Sequence, residues 1–300
     1  MAGTVTTTDL FPETHDRVLF NWTRLHSHTP FSRLSTNISQ EVASYLLTVC
    51  RQLVPAISRQ SLKLYRLDPV SVETKSLNWS VPEGLRACLI SEKVVMLVGG
   101  SERTREASFV HIPTGTVELL ESLLVARNSP GVVKKDTLVY VFGGNFEPTR
   151  TCEKFNLLAR VWSRLPSMHR AKFAFTPVLY RDTILLPEVR QSEKVVEVFS
   201  VIPETFHLLS LQMPFTDTGS TAVMDDNHLV VITCHGQVGR WNVDLGQGEF
   251  QVKDFSGNRE SLAYCAGTPV KVGRQVYWQG YDTTKLVVFA LDGDTMTVQE

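Results

Sequence analysis

Cationic side chains recur along the chain at intervals of about 45 residues, each time shortly after the same kind of sequence feature. Arginine is a planar fork that binds carboxylates and phosphates through two parallel hydrogen bonds, and aromatic neighbours supply apolar contact area. We therefore expect a surface that binds an acidic or phosphorylated segment of a partner protein. The candidate binding residues are Arg103, Arg105, Asn145, Phe146, Arg150, Arg190, His235, Arg240 and Tyr281.

The sequence nominates no catalytic group, metal site or cofactor. The eight histidines show no metal-ligand spacing beyond His26-x-His28, a pair in a loop-like stretch that we interpret as solvated. A glycine-rich phosphate loop and a nucleophile elbow are both missing from the sequence. These features favour a binding protein over an enzyme.

The cations follow a repeated unit, whose best copy is the stretch from Leu138 to Trp162. In this copy a short apolar strand runs into a double glycine, Gly143-Gly144, and two further strands follow. The sequence aligns five double-glycine positions, with steps of 44, 43, 48 and 45 residues. They are Gly99-Gly100, Gly143-Gly144, Leu186-Pro187, Cys234-His235 and Gln279-Gly280.

Two apolar positions of the unit recur with the same period. The Phe155 position recurs as Tyr65, Val110, Phe199, Trp241 and Phe289. Seven residues later, the Trp162 position recurs as Val72, Val117, Phe206 and Met296. In the Trp241 copy this register is expected to slip, with Phe250 as the equivalent residue. Four short strands in a period near 45 residues are typical of propeller blades.

The double glycine, the two aromatic positions and the ending Leu165-Pro166-Ser167-Met168 resemble a kelch repeat. The resemblance implies an all-β fold, a kelch-type β-propeller of five recognisable four-stranded blades plus a partial one, six in all. Strands a to d would run from the axis outward. The a–b turns are expected at Lys135-Asp136, Arg181-Asp182, Asp225-Asp226-Asn227 and Gly273-Arg274.

The resemblance implies a protein-interaction module, and some relatives serve as substrate-recognition subunits of ubiquitin ligases. The b–c loops, which carry the candidate residues, should all leave one face, with the d–a loops of Met168 to Arg170 on the other. One rival is an enzyme with a site in the central funnel, like epimerases and oxidases built on similar blades. Ionisable groups converging at the axis would favour that rival. Another is a structural repeat domain in a larger assembly.

The chain divides into an N-terminal segment, residues 1–60, and the propeller, residues 61–300. Apolar residues on one helical face predict an amphipathic helix over 37–53, and Leu34 with Ile38 to Leu46 resembles the first helix of an F-box. Alternatively, Gln40–Tyr45 and Val49–Pro55 are the first two strands of a degenerate blade. Because the C-terminus completes its own blade, residues before Ser61 are expected to close the ring.

Composition excludes several classes of protein. The net charge of −1 argues against a general nucleic-acid surface, and no apolar run is long enough to span a bilayer. The N-terminus lacks the features of a signal peptide. The five cysteines are spread singly, which favours reduced thiols and a cytoplasmic or nuclear location.

Overall fold

The computed structural model describes thirteen ranges of the chain, and every regular element in them is a β-strand. The ranges are 53–58, 61–67, 70–76, 84–100, 104–144, 150–187, 195–210, 220–233, 237–244, 246–251, 269–279, 286–292 and 295–299.

The strands form one three-stranded sheet and five four-stranded sheets, each an antiparallel meander in chain order. Sheet 1 contains β1 Leu53–Ser58, β2 Ser61–Leu67 and β3 Val70–Ser76. Blade 2 contains β4 Leu85–Ser91, β5 Val94–Gly99, β6 Ala107–His111 and β7 Thr116–Leu119. Blade 3 contains β8 Gly131–Lys135, β9 Leu138–Phe142, β10 Cys152–Asn156 and β11 Val161–Leu165.

The remaining three sheets follow the same plan. Blade 4 contains β12 Val178–Tyr180, β13 Thr183–Leu186, β14 Val195–Ser200 and β15 Thr205–Ser210. Blade 5 contains β16 Ser220–Asp225, β17 His228–Thr233, β18 Val238–Asn242 and β19 Gln247–Gln251. Blade 6 contains β20 Val270–Val272, β21 Gln275–Gln279, β22 Leu286–Ala290 and β23 Thr295–Gln299.

The sheets are arranged in a ring with the first strand of each blade at the centre. Strand β8 contacts β4 and β12, and β12 contacts β16. Strand β1 contacts β4 on one side and β21 on the other, so sheet 1 lies between blades 2 and 6. This is a β-propeller with five four-stranded blades, as predicted. A sixth four-stranded blade stays a prediction, because three strands of sheet 1 are described.

Residues before Ser61 do contribute to the ring. Strand β1 pairs with β2 along its whole length, from Leu53 opposite Arg66 to Ser58 opposite Ser61. The predicted helix over 37–53 and the Gln40–Tyr45 strand lie outside the described residues, except that Leu53 begins a strand. The described residues give no support to the F-box-like helix.

The predicted repeat register is confirmed at its two apolar positions. Phe155 pairs with Trp162, and the corresponding pairs in other sheets are Tyr65 with Val72, Val110 with Val117, Phe199 with Phe206 and Phe289 with Met296. The predicted slip in blade 5 is wrong. Trp241 pairs with Gly248, seven residues on, whereas Phe250 pairs with Gly239. Because Gly248 occupies the position equivalent to Trp162, the sequence of this copy has no aromatic residue at that position.

The double-glycine positions predicted for blades 4, 5 and 6 lie one or two residues away from the positions that the strand pairing gives. In each blade the b-strand residue opposite the Phe155 position fixes that register: Val95, Val139, Ile184, Leu229 and Val276. By this register Pro187 and Gln279 are each equivalent to Phe142, and Thr233 is equivalent to Gly143. The predicted a–b turns are confirmed, with left-handed backbone at Asp136, Arg181, Asp226 and Gly273.

The core lies between neighbouring blades. One buried cluster joins blades 2 and 3 through Phe109, Phe155 and Trp162, and another joins blades 3 and 4 through Tyr140, Phe142 and Phe199. Further clusters join blades 4 and 5, and blades 5 and 6. Each blade therefore depends on its neighbours for burial, as expected for a propeller.

Candidate functional site

The b–c and d–a connections emerge on the same face of the propeller. The main-chain N–H of Leu123, in a d–a connection, donates to Arg105 O at 2.8 Å, and that of Met168 donates to Arg150 O at 2.9 Å. We call this surface, formed by residues 104–106, 120–130, 150–151 and 166–177, the b–c face. The expectation that the d–a loops lie on the opposite face is wrong. In a four-stranded antiparallel meander the second and fourth connections leave at the same end.

Arg105 and Arg150 occupy equivalent positions on the b–c face, two residues before strand c of their blades. Arg105 Nε donates to Leu123 O at 2.5 Å, and Arg150 Nε donates to Met168 O at 2.8 Å. Both residues are exposed. A guanidinium held through Nε keeps its two terminal nitrogens, Nη1 and Nη2, in a geometry suited to an end-on contact with an oxyanion.

Arg240 does not belong to the b–c face, in contrast to the prediction. It lies within β18, where its Nη2 donates to Leu291 O at 2.8 Å and its Nη1 is 3.8 Å from Asp225 Oδ2. Leu291 follows strand c of blade 6 and Asp225 precedes an a–b turn, so Arg240 reaches toward the other face. The prediction fails because four residues join strands b and c in blade 5, against nine in blade 3, so strand c starts earlier after the double-glycine position. The other candidates, Arg103, Asn145, Phe146, Arg190, His235 and Tyr281, lie outside the described residues.

The b–c face rests on buried ion pairs that the sequence reasoning missed. Between blades 2 and 3, Arg127 Nε is 2.7 Å from Glu153 Oε1, and both side chains are 1% exposed. Between blades 3 and 4, Lys172 Nζ is 4.0 Å from Glu197 Oε2, again with both side chains 1% exposed. Both cations lie in d–a connections and both glutamates lie in strand c. The second pair follows the first by one period of the repeat. That periodicity is the signal that could have found them.

The double glycines contact the d–a connections that carry Arg127 and Lys172. Gly100 N donates to Arg127 O and Gly144 N donates to Lys172 O, each at 2.9 Å. A Cβ at Gly99, where φ is +78°, would lie 2.6 Å from Arg127 O. Glycine is therefore required at Gly99 both by the backbone conformation and by the close approach of the next connection.

His169 is a further exposed residue of the b–c face. Its side chain is 50% exposed, and its Nδ1 lies 3.0 Å from Oε1 of the buried Glu197, which also accepts the His169 main-chain N–H at 2.5 Å. The equivalent residue at the preceding junction is Leu124, whose N–H donates to Glu153 Oε2 at 2.7 Å. The glutamates thus fix the d–a connections on which this face is built.

The opposite surface, which we call the a–b face, carries the a–b and c–d turns and is rich in ion pairs between blades. Four pairs join Lys135 to Asp182, Arg181 to Asp244, Lys154 to Glu204 and Arg160 to Glu118. Asp225 accepts hydrogen bonds from Lys271 at 2.7 Å and from Arg274 at 2.8 and 2.7 Å. Burial alone would raise the pKa of Asp225, but these hydrogen bonds outweigh it and lower the pKa below 3.8.

Burial raises the pKa of the Cys152 thiol to about 12, and the charge of Arg127 opposes this only in part. Burial also raises the pKa of Tyr140 to about 12. Neither group is suited to nucleophilic or acid–base chemistry near neutral pH, because the reactive thiolate or phenolate is scarcely populated.

The a strands of blades 2 to 6 line an open cavity of about 280 Å³ at the centre of the ring. Its walls are mainly apolar, with Lys134 and Lys271 as the charged residues among the described lining. That lining includes no aspartate, glutamate or histidine that could form an acid–base pair. No metal-binding group of three His, Cys, Asp or Glu residues occurs in the described ranges. Those same ranges contain no helix of the length and hydrophobicity that a membrane crossing requires.

The fold and its two faces define the chain as a β-propeller. The family model of the kelch motif matches residues 126–169, which run from the connection before blade 3 into the connection after it. The chain therefore carries a kelch motif in a five-blade propeller arrangement. A comparison with the curated proteins gives no match. Kelch propellers are generally protein-interaction modules and mostly lack enzymatic activity.

Proposed function

We propose that this protein recognises a partner protein through its b–c face. The observation that carries the proposal is the equivalent placement of Arg105 and Arg150, both exposed and each held through Nε by a main-chain carbonyl of the d–a connection. Because the carbonyl contact fixes the guanidinium, less side-chain freedom is lost when a partner binds.

The partner segment is acidic or phosphorylated. Its carboxylate or phosphate oxygens accept end-on hydrogen bonds from the Nη pairs, and each such contact contributes about 1.5–3 kcal/mol where water is excluded. The exposed His169 adds an imidazole to the same face. Several contacts of this size around one face add up to specific binding.

Arg105 and Arg150 differ in their contacts from three arginines of the a–b face, which supports the choice of face. On the a–b face Arg160, Arg181 and Arg274 each contact a carboxylate of another strand or turn. On the b–c face Arg105 and Arg150 contact neutral carbonyls. A carboxylate neutralises the positive charge that an acidic partner needs, whereas a carbonyl leaves the charge in place.

The experiment is a pull-down from the source cells with the full chain and with a double variant, Arg105→Ala and Arg150→Ala, which removes both arginines that carry the proposal. We expect the variant to lose an acidic or phosphorylated partner while its thermal unfolding stays nearly unchanged, because exposed charges contribute little to stability. Arg164→Ala is the matched control, since Arg164 is exposed on the outer strand β11. Full partner capture by the double variant would contradict the assignment of the binding site to the b–c face.

Two finer proposals have different grounds, the first in the kelch resemblance and the second in the singly spread cysteines. One is substrate recognition within a ubiquitin ligase, supported if ligase subunits co-purify with the full chain and the captured partner accumulates when the chain is depleted. The other is a cytoplasmic or nuclear location, tested by imaging the tagged full chain. Neither proposal depends on which arginines of the b–c face bind the partner.

A further inference from the structure

The junction of blades 2 and 3 and the junction of blades 3 and 4 share a framework on the b–c face but differ at one position. At both, an exposed arginine donates through Nε to the carbonyl oxygen of a buried residue, Leu123 or Met168. The residue that follows this carbonyl is Leu124 at the first junction and His169 at the second. The second junction can therefore offer an anion a hydrogen-bond donor that a leucine side chain does not have.

The imidazole of His169 is held with one nitrogen toward the protein interior. Its Nδ1 is 3.0 Å from Oε1 of Glu197, whose side chain is 1% exposed, whereas half of the His169 side chain is exposed. Because an ionised carboxylate only accepts hydrogen bonds, the proton of the neutral ring lies on Nδ1. The other nitrogen, Nε2, is directed away from Glu197 and becomes a donor when the ring takes up a second proton.

The charges next to His169 leave an excess of positive charge among the described groups. Lys172 Nζ lies 4.0 Å from Oε2 of Glu197, so this carboxylate has a cation of its own. Arg150 donates to the carbonyl oxygen that precedes His169, and Arg170 follows His169 in the chain. A ligand with two negative charges therefore meets more positive than negative charge at this junction.

We propose that the junction of blades 3 and 4 binds a phosphorylated side chain of the partner protein, and that His169 selects phosphate over carboxylate. This inference rests on the proposed function of the b–c face. A phosphate monoester carries nearly two negative charges and three terminal oxygens. Two oxygens accept hydrogen bonds from the Nη atoms of Arg150, and the third accepts one from Nε2 of protonated His169. A carboxylate has only two oxygens, which the arginine binds alone.

The test measures binding of two glycine-flanked peptides, one with phosphoserine and one with glutamate, to the full chain by NMR titration. We expect the phosphoserine peptide to bind about tenfold more tightly. His169→Leu installs the residue of the neighbouring junction, and should remove most of this preference while leaving the glutamate peptide nearly unaffected. Arg150→Ala should weaken both peptides. His228→Leu is the matched control, because His228 is exposed at the start of β17, next to an a–b turn.

Binding is also coupled to a proton. Because Nε2 donates only from the protonated ring, the phosphoserine peptide takes up a proton from water on binding wherever the ring of the free protein is neutral. Calorimetry at about pH 7.5 in two buffers of different ionisation enthalpy measures this uptake. We expect uptake by the unaltered protein and much less by His169→Leu, a difference that a purely structural role of His169 would not produce.

Equal affinities of the unaltered protein for the two peptides overturn the proposal, as does phosphoserine peptide that does not bind at about 10 mM. Both results are independent of whether His169→Leu folds. A preference for phosphoserine that folded His169→Leu retains in full excludes His169 as its source. Phosphatase treatment of the cell lysate before the pull-down separates this inference from the proposed function. A partner that is still captured after treatment, but is lost with the Arg105→Ala and Arg150→Ala double variant, would leave the b–c face as the site and refute the phosphate.

Discussion

Arg127 Nε donates to Glu153 Oε1 at 2.7 Å in a site where both side chains are almost fully buried. Arg127 also donates to the carbonyl oxygens of Gly143 and Thr151, and Glu153 Oε2 accepts the N–H of Leu124 at 2.7 Å. The pair joins the connection after blade 2 to strand c of blade 3. It therefore holds two neighbouring blades and the base of the b–c face together.

Arg127→Met should destabilise the protein by about 3–5 kcal/mol, because it leaves the Glu153 carboxylate buried without its cation. Urea denaturation of the full chain measures the loss. The matched control is Arg181→Met, which removes an ion pair to Asp244 whose side chains are 69% and 36% exposed. The control should change stability far less, since water screens an exposed pair. Equal losses for the two variants would show that Arg127 is not buried as described.

Trp162→Ala should cost about 3–5 kcal/mol as a large-to-small change in the core. The ring of Trp162 lies 4.9 Å from that of Phe155, and its Nε1 donates to Glu121 O at 2.8 Å, so both its apolar body and its polar atom are lost. Chemical denaturation measures the change. Val161→Ala is the control, because Val161 is 49% exposed on the same strand. A loss under about 1 kcal/mol for Trp162→Ala would contradict the repeat register.

The repeat could be predicted from the sequence because burial restricts the residue types at two positions in most sheets. Phe155 and Trp162 face each other across a strand pair, and the same pairing keeps large or β-branched residues at equivalent positions in most other sheets. The seven-residue separation follows from two strands joined by a short turn. Position and spacing therefore survive even where the double glycine is lost.

The candidate site was harder to predict, because loops lack such a constraint. The sequence predicts Arg240 in a loop by its distance from Cys234-His235, but four residues separate strands b and c in blade 5, against nine in blade 3, so strand c begins before Arg240. In the sequence Glu153 looks like an ordinary charged residue of a strand, because nothing there shows that it pairs with Arg127, 26 residues earlier. Burial of a charge depends on a partner from another blade, which local patterns do not reveal.

Removal of residues 1–59 should promote self-association or lower solubility, because it deletes β1. This strand pairs with β2 and contacts both β4 and β21, so its loss exposes sheet edges on either side. Light scattering and analytical ultracentrifugation measure the effect. A deletion of residues 1–51, which keeps β1, is the control and should behave more like the full chain. If the shorter deletion is equally harmful, or if the longer one stays monomeric and stable, β1 does not close the ring.

Asp225→Asn should destabilise the protein by about 1–3 kcal/mol at pH 7, because Lys271 and Arg274 lose a charged acceptor next to the central cavity. The folded-state pKa of Asp225 lies below 3.8, so its contribution to stability is fully present above that pH and is lost as the pH falls through the folded pKa.

The difference in unfolding free energy between the unaltered protein and Asp225→Asn should therefore be constant from about pH 5 to 7 and shrink below about pH 4. Urea denaturation at a series of pH values measures that difference. Asp292→Asn is the control, since Asp292 is 69% exposed and bonds only the Nε of Arg274 among the contacts described. A difference for Asp225→Asn that grows on acidification would mean that burial, and not the two cations, governs this carboxyl group.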